Sequence, residues 1–510
     1  MGFSSLTEFI CVIAILAVIL WRKASSKSLN LPPGPKGLPL IGVWNLPSEK
    51  PWLVYEQWSK QYGDMIYFES FGTSFLILNS IKRVRDLMEK RSNNYSDRPR
   101  AVMLLELMGW TFNPAFLPYG SWWRRHRRSM HEYFHTNTVD KYWPIQLRET
   151  RAFLRRLHET PEQLCRHIRH AFGALILEIA YGISIADNND PFITLAEEAI
   201  VGVTVAGNPG AFFVDLIPAL KYIPDWFPGS SFKRFGEHYK KVNTIMVNKP
   251  FDYVRSCLAD GTAKPSMATS LLESLPDEDD PKRVEEETIA RNVTGVSYTG
   301  SAMEIFFLAM AMFPEVQKRA QAELDIVVGP DRLPSFDDMY SLHYINAIAR
   351  ETMRWLLVLP LGVGHMVTDD DVYDGYHIPK GTIVLGNAWA ILHDPEIYSD
   401  PHEFKPGRFM KDGKFNIDGI LDPHEVAFGY GRRVCIGKHL SSNSLFITIA
   451  SVLAVYDILP PLDEDGSPIP LKAEVSSGLF SRPVSLECMI KPRSVVAKEL
   501  ILSSESQEDR

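Results

Sequence analysis

Cysteine is scarce in this chain of 510 residues: there are five, at positions 11, 165, 257, 435 and 488, an odd number set far apart. That spacing makes a poor disulfide framework and fits a reducing compartment, so the bulk of the protein is expected to face the cytosol. A basic excess is lacking too. The formal net charge is -8, whereas a binder of phosphate backbone normally carries a positive balance, so no nucleic-acid partner is expected. There is no internal repeat, and no long linker beyond the start of the chain, which argues against an array of modules. What is present is ample apolar material. At 45% hydrophobic and 23% charged residues, the chain can bury a large core, and one large domain is expected.

Leu6 to Trp21 is almost uninterrupted apolar sequence, followed at once by Arg22, Lys23 and Lys27. It is slightly short for the roughly 20 residues a bilayer asks for, and Gly2 to Ser5 can extend it. Residues 1–30 are therefore expected to be a single membrane anchor with its basic flank. The positive flank on the C-terminal side puts the N-terminus in the lumen and the body in the cytosol, as for a single-pass protein of the endoplasmic reticulum. A cleaved signal peptide is the alternative; the missing positive start and the cysteine usage count against it. Leu31-Pro32-Pro33-Gly34-Pro35-Lys36-Gly37-Leu38-Pro39 follows as a stiff proline hinge.

Short runs such as Met65-Ile66-Tyr67-Phe68 and Phe75-Leu76-Ile77-Leu78 read as strands. Helical periodicity then occupies approximately residues 140 to 182, 190 to 206, 232 to 259, 284 to 328 and 337 to 357. Strand signals return at Met366-Val367, Val372 to Ile378, Thr382 to Leu385 and Gly478-Leu479-Phe480. The expected fold is mainly α with a minor β region, as a body over residues 31–495 with a polar tail over 496–510.

Phe428-Gly429-Tyr430-Gly431-Arg432-Arg433-Val434-Cys435-Ile436-Gly437 sets one cysteine in a glycine-framed, cationic loop. The pattern Phe-x-x-Gly-x-Arg-x-Cys-x-Gly fixes five residue types, so a chance match in a chain this long is on the order of 10⁻⁴. Gly431 and Gly437 permit a turn that leaves the sulfur uncrowded, and nearby positive charge with metal coordination favours the thiolate. A buried structural thiol is the bland alternative, which the flanking pattern disfavours. Here the sequence resembles the cytochrome P-450 superfamily.

The resemblance covers roughly residues 30 to 495 in motif order, in the style of membrane-bound fungal members of secondary metabolism, including O-methylsterigmatocystin oxidoreductase-like enzymes. It implies a haem with Cys435 as axial metal ligand, Phe428 shielding the sulfur face, and Arg433 meeting a haem propionate, with Gly437 closing the loop. Trp122-Trp123-Arg124-Arg125-His126-Arg127-Arg128 resembles the family's Trp-x-x-x-Arg element, in which Trp123 and Arg127, one helical turn apart, hydrogen-bond the propionates. His365 stands where a residue often serves the same carboxylates, although a lone histidine is more often a satisfied core or surface residue. Glu351 and Arg354, followed by Arg408 in Phe404-Lys405-Pro406-Gly407-Arg408-Phe409, imply a buried network behind the haem. Arg124, Arg125, Arg128, Arg432 and Lys438 imply a docking patch for an NADPH-cytochrome reductase; a solvated charged face is the alternative. Substrate contacts are expected from Met103 to Trp110, Phe212-Phe213-Val214, Val358 to Val363 and Leu479-Phe480, which suit a lipophilic small molecule. Core packing would give the same composition. Tyr222 to Pro228 is expected to dip into the membrane.

One family element is missing. Members carry Ala/Gly-Gly-x-Asp/Glu-Thr-Thr in the helix that crosses the haem, an acid and an alcohol that pass protons during oxygen activation. Here the corresponding stretch reads Thr294-Gly295-Val296-Ser297-Tyr298-Thr299-Gly300-Ser301-Ala302-Met303-Glu304, with recognisable flanks but about six residues fewer than the family's habit. Losing six residues shortens a helix by about 9 Å and rotates its halves by about 120°. Thr299 and Ser301 are the substitute hydroxyls and Glu304 the substitute acid. The expectation is a monooxygenase that inserts one oxygen atom from O₂ into a lipophilic substrate. The rivals are a catalytically impaired haem binder, a wrongly chosen splice boundary in the coding sequence, and an isomerase or peroxide-using haem-thiolate enzyme that needs no reductase.

Overall fold

The computed structural model describes residues 30–186, 190–295 and 300–504. The apolar run at the start of the chain lies outside them; among the described residues no helix is long and apolar enough to cross a membrane. After helix α1 (Pro51–Tyr62), strands β1 (Met65–Ser70) and β2 (Thr73–Leu78) form an antiparallel hairpin. Its two turn residues, Phe71 and Gly72, have φ of 48° and 81°, the left-handed geometry that matches the twist of the flanking strands. Phe68 and Phe75 stack across the pair at 5.1 Å.

The longer helices that follow are α2 (Ser121–Phe134), α3 (Trp143–Glu159), α4 (Leu164–Tyr181), α5 (Pro191–Ala206), α6 (Ser231–Ala259), α7 (Arg283–Thr294), α8 (Ser301–Met312), α9 (Pro314–Val327) and α10 (His343–Trp355). Strands β3 (His365–Met366), β4 (Asp371–Tyr373), β5 (Tyr376–Ile378), β6 (Ile383–Gly386), β7 (Met410–Lys411) and β8 (Lys414–Phe415) precede helix α11 (Lys438–Val455). Strands β9 (Tyr456–Leu459) and β10 (Met489–Pro492) and helix α12 (Val495–Ser503) complete the chain. One sheet has the order β1-β2-β6-β3, with β2 and β6 parallel; β4–β5, β7–β8 and β9–β10 are antiparallel pairs. The body is mainly helical with small sheets, as expected.

Helix ends follow local chemistry. The periodic run over 140–182 divides into α3 and α4 because Thr160 precedes Pro161 and is pushed out of the helical region, to φ -141° and ψ 70°. The run over 284–328 divides into three. Phe313, ahead of Pro314, is displaced in the same way, to φ -125° and ψ 72°, while α7 stops at Thr294 and α8 starts at Ser301. Gly300 packs against α4 so closely that a Cβ there would stand 2.8 Å from Ile168 Cγ2. Helices α8 and α11 are apolar on nearly every side and run through the core.

Behind these helices lies a buried ionic cluster. Arg354 donates to both Glu351 carboxylate oxygens at 2.7 and 2.9 Å and to the carbonyls of Leu392, Pro401 and Glu403. Glu351 also accepts from the Lys405 N–H at 2.7 Å and from Arg408 Nε at 3.1 Å. Both oxygens of the anion thereby accept hydrogen bonds, three on Oε1 and one on Oε2, the kind of satisfaction under which a buried ion pair is tolerated.

Two sequence expectations are corrected. Gly478-Leu479-Phe480 forms bends and no strand, because the Leu479 N–H is taken by the Thr204 carbonyl at the end of α5. The polar tail begins later than residue 496: Ser494 caps α12 by accepting from the Ala497 N–H, and Ala497 and Ile501 are buried.

Candidate functional site

A cavity of ≈ 380 Å³ lies between the cysteine loop, helix α2, the segment after α10, and the end of α7. The loop is made by glycines. Gly429 and Gly431 have φ of 78° and 53°, and a Cβ on Gly431 would come within 2.3 Å of the Met88 carbonyl oxygen. Only glycine permits both the left-handed backbone and this approach. The Cys435 N–H donates to the Phe428 carbonyl at 2.7 Å and closes the turn.

The Cys435 side chain is exposed, but to the cavity and not to bulk solvent. Its surroundings of packed protein therefore push the thiol up, while the Gly437 N–H and the charges of Arg127 and Lys438 pull toward the thiolate. Metal coordination reverses that balance, since a ligating thiol is deprotonated outright.

The same cavity has a cationic part of its lining. Arg433 donates to the carbonyls of Ser96 at 2.7 Å and Leu117 at 2.8 Å, and its guanidinium lies 4.4 Å from the centre of the Trp123 ring. Burial pushes Arg433 down to about 10. Arg98 donates to the carbonyls of Ala115, Val363 and Gly364, and burial with Arg433 nearby holds it well below its usual range. Arg127 is also lowered by burial. Among the described residues none of these three guanidiniums has a carboxylate within ion-pair distance. His365 Nδ1 donates to the Tyr95 carbonyl at 2.6 Å, and burial, with Arg98 and Arg433 alongside, keeps the ring neutral. Arg98 and Arg433 are buried and Arg127 is half-buried, with Asp97 acting on the first two from beyond ion-pair distance; cations so placed are costly. A dianionic group fits them, and haem brings two carboxylates on one edge.

Trp123, Arg127, His365, Phe428, Arg433, Cys435 and Gly437 all line this one cavity. The distal candidates differ. Thr299 lies outside the described residues, and Ser301 lines a neighbouring cavity instead. Its one-residue offset on α8 turns Ala302 toward the Cys435 cavity, where the hydroxyl from the end of α7 is that of Thr294 and others come from Thr352, Tyr430 and Ser441. The Thr294 hydroxyl donates to the Ala290 carbonyl at 2.9 Å. Of the expected substrate contacts, Trp110, Leu479, Phe480 and most of Val358 to Val363 line the cavity. Met103 and Leu104 pack into the cluster above it, and Phe213 is exposed. Arg98 was not singled out by sequence; nothing in its spacing marks it. In the basic patch, Arg125 is engaged by Glu285 and Glu286 of α7, and Arg432 donates to the Tyr119 hydroxyl.

A mainly helical body holding one cysteine on a glycine-framed loop, with unpaired guanidiniums lining the same largely apolar cavity, defines a haem-thiolate protein. The family model described as Cytochrome P450 matches residues 32–486. The chain belongs to the cytochrome P450 family, whose cofactor is haem with an axial thiolate, and it is an oxidoreductase of the monooxygenase kind. It is 46% identical over 496 residues to cytochrome P450 monooxygenase COX2 of Coprinopsis cinerea, covering 96% of this chain and 94% of that one. It is 41% identical to COX1 of the same fungus, over 96% of each chain. Tryptamine 4-monooxygenase of Psilocybe cyanescens is 40% identical over 476 residues, covering 91% and 93%.

Proposed function

We propose that this protein is a membrane-anchored monooxygenase that inserts one oxygen atom of O₂ into a lipophilic small molecule of fungal secondary metabolism. The observation that carries the reading is that Cys435, Arg98, Arg127 and Arg433 line one largely apolar cavity. Cys435 is the metal ligand. Arg98, Arg127 and Arg433 hold the propionates, with Trp123 and His365 beside them, and Phe428 covers the sulfur face. Bound haem supplies the redox chemistry of O₂ activation, pushed by the thiolate. The chain's own contribution is to exclude water with Trp110, Phe116, Leu479 and Phe480, and to place the Thr294 hydroxyl oxygen, whose proton is held by helix carbonyls, at the cavity wall as an acceptor.

Electrons come from NADPH through a reductase that docks on Arg124, Arg128, Arg432 and Lys438. Residues 1–30 anchor the chain in the endoplasmic reticulum membrane with the body in the cytosol. The exposed Tyr222, Trp226 and Phe227 lie in the segment expected to meet that membrane. Similarity to a relative named for a tryptamine makes an aromatic amine one of the substrates to assay first.

A second reading, that the protein binds haem but is impaired in oxygenation, is favoured by one observation: α7 and α8 are separate, and Ser301 lines the neighbouring cavity. The carbon monoxide spectrum of the reduced protein tests the haem-thiolate site. A thiolate-type Soret displacement is expected, and its loss in Cys435→Ala; a folded protein lacking it sinks both readings. Turnover with reductase and NADPH separates them, because NADPH consumed without oxygenated product supports impairment. Sequencing the mature transcript across codons 295 to 305 tests the splice boundary: recovery of an acid-Thr-Thr insertion would restore the uninterrupted helix.

A further inference from the structure

Beside the Cys435 cavity lies a larger one of ≈ 590 Å³, bounded by α4, α5, the facing ends of α7 and α8, and the segment around Phe480. The two share a wall made by Ile176, Ala180, Ile200, Thr294 and Phe480. Most of the larger cavity is apolar, but four charged side chains line it, Arg169, Glu197, Glu304 and Arg482. Glu304 is 5% exposed, and among the described residues it has no hydrogen bond and no ion pair. A buried carboxyl without a partner is rare in a folded protein, because it loses its hydration and gains nothing in return. The other charged groups that bear on it are accounted for. Arg169 is bound to Glu197 at 2.9 Å, and Arg482, an exposed side chain, stands beyond ion-pair distance. Burial pushes the Glu304 carboxyl up, and the two arginines draw it back.

Haem would take up the 380 Å³ on the cysteine side. The room left for a substrate is then the adjoining volume, whose size is that of a drug-sized ligand site. We propose that the larger cavity is the substrate chamber and that Glu304 anchors a cationic head group there, so that the preferred substrates are lipophilic ammonium compounds. This rests on the monooxygenase reading above. The cation supplies the missing partner of Glu304, while the apolar part of the molecule lies against the wall shared with the haem side.

The test uses the full-length haem-loaded protein with two probes of one shape: a phenylalkyl trimethylammonium ion and its uncharged tert-butyl isostere. A quaternary nitrogen has no lone pair and does not ligate iron. Affinities are read by equilibrium dialysis and by the Soret band. The wild type is expected to bind the cation at least about tenfold more tightly, or about 1.4 kcal/mol. Glu304→Gln should equalise the two probes while leaving affinity for the isostere within about twofold, and Glu304→Asp should keep most of the preference. A wild type without preference overturns the proposal, as does a preference that survives in Glu304→Gln. Glu197→Gln is expected to keep it; loss there would put the cation at the rim and overturn the proposal too. If Glu304→Gln does not fold, the wild type and Glu197→Gln decide alone. An intact thiolate spectrum with no cation preference sinks this inference only. A missing thiolate spectrum sinks the monooxygenase reading, and dialysis still reads the preference.

Discussion

Asp215 shows how one enclosed group sets a pH dependence. Its Oδ1 accepts from the Met103 N–H at 2.8 Å, its Oδ2 has no partner, and burial pushes the carboxyl up to about 6 from 3.8. The native state then holds a proton that the unfolded chain releases, so stability falls as pH rises from about 4 to about 6. The full cost is about 3 kcal/mol above that window. Asp215→Asn is expected to stabilise the protein by about 1–2 kcal/mol at pH 7.5 and by little at pH 4, read from thermal unfolding at both. Arg98 makes a sharper test of the cationic wall. Arg98→Met should weaken haem retention several-fold, measured as transfer to an acceptor apoprotein, and should also destabilise the haem-free chain, because the Ala115, Val363 and Gly364 carbonyls lose their donor. Cys435 and its glycines were legible because the loop is contiguous and its chemistry is local. Arg98 was not: it joins Arg127, His365 and Arg433 only through the fold, from four separate segments. Ser301 lines the neighbouring cavity and not that of Cys435, since one position on a helix turns a side chain by about 100°.

Among the elements, the clearest dependence is between α10 and the segment carrying Arg408. Glu351 and Arg354 are both 0% exposed, so Glu351→Gln leaves a buried guanidinium short of its counter-charge. The expected cost is about 3–5 kcal/mol, measured by denaturant unfolding and by the yield of haem-loaded protein. Order along the chain made this network readable; a Glu and an Arg three apart carry little information alone. The periodic helices were readable too, and their interruptions at Pro161 and Pro314 follow from residues in plain sight. Strands β9 and β10 escaped notice because they are short and pair across some thirty residues. Helix α12 escaped because Ala497 and Ile501 alone show its buried face. The separation of α7 and α8 is the feature on which the second functional reading rests. The missing residues showed in the sequence, whereas the cavity that their flanks line did not.

At the scale of the whole molecule, the proposed anchor makes a simple prediction. The full chain should float with membranes in a density gradient, whereas a chain beginning at Leu31 should stay with the soluble fraction and load haem equally well. Co-flotation of both would move the membrane contact to the exposed Tyr222 and Trp226. The cationic wall also reaches beyond its own cavity. Arg98 and Arg433 draw their carbonyl partners from residues 96 to 117 and from 363 to 364, so the guanidiniums that await an anion also knit together distant stretches of backbone. Until a porphyrin arrives, those stretches are tied around mutually repelling charges. A porphyrin's carboxylates would offset that repulsion, so cells starved of a porphyrin precursor are expected to accumulate less protease-resistant product than cells fed one.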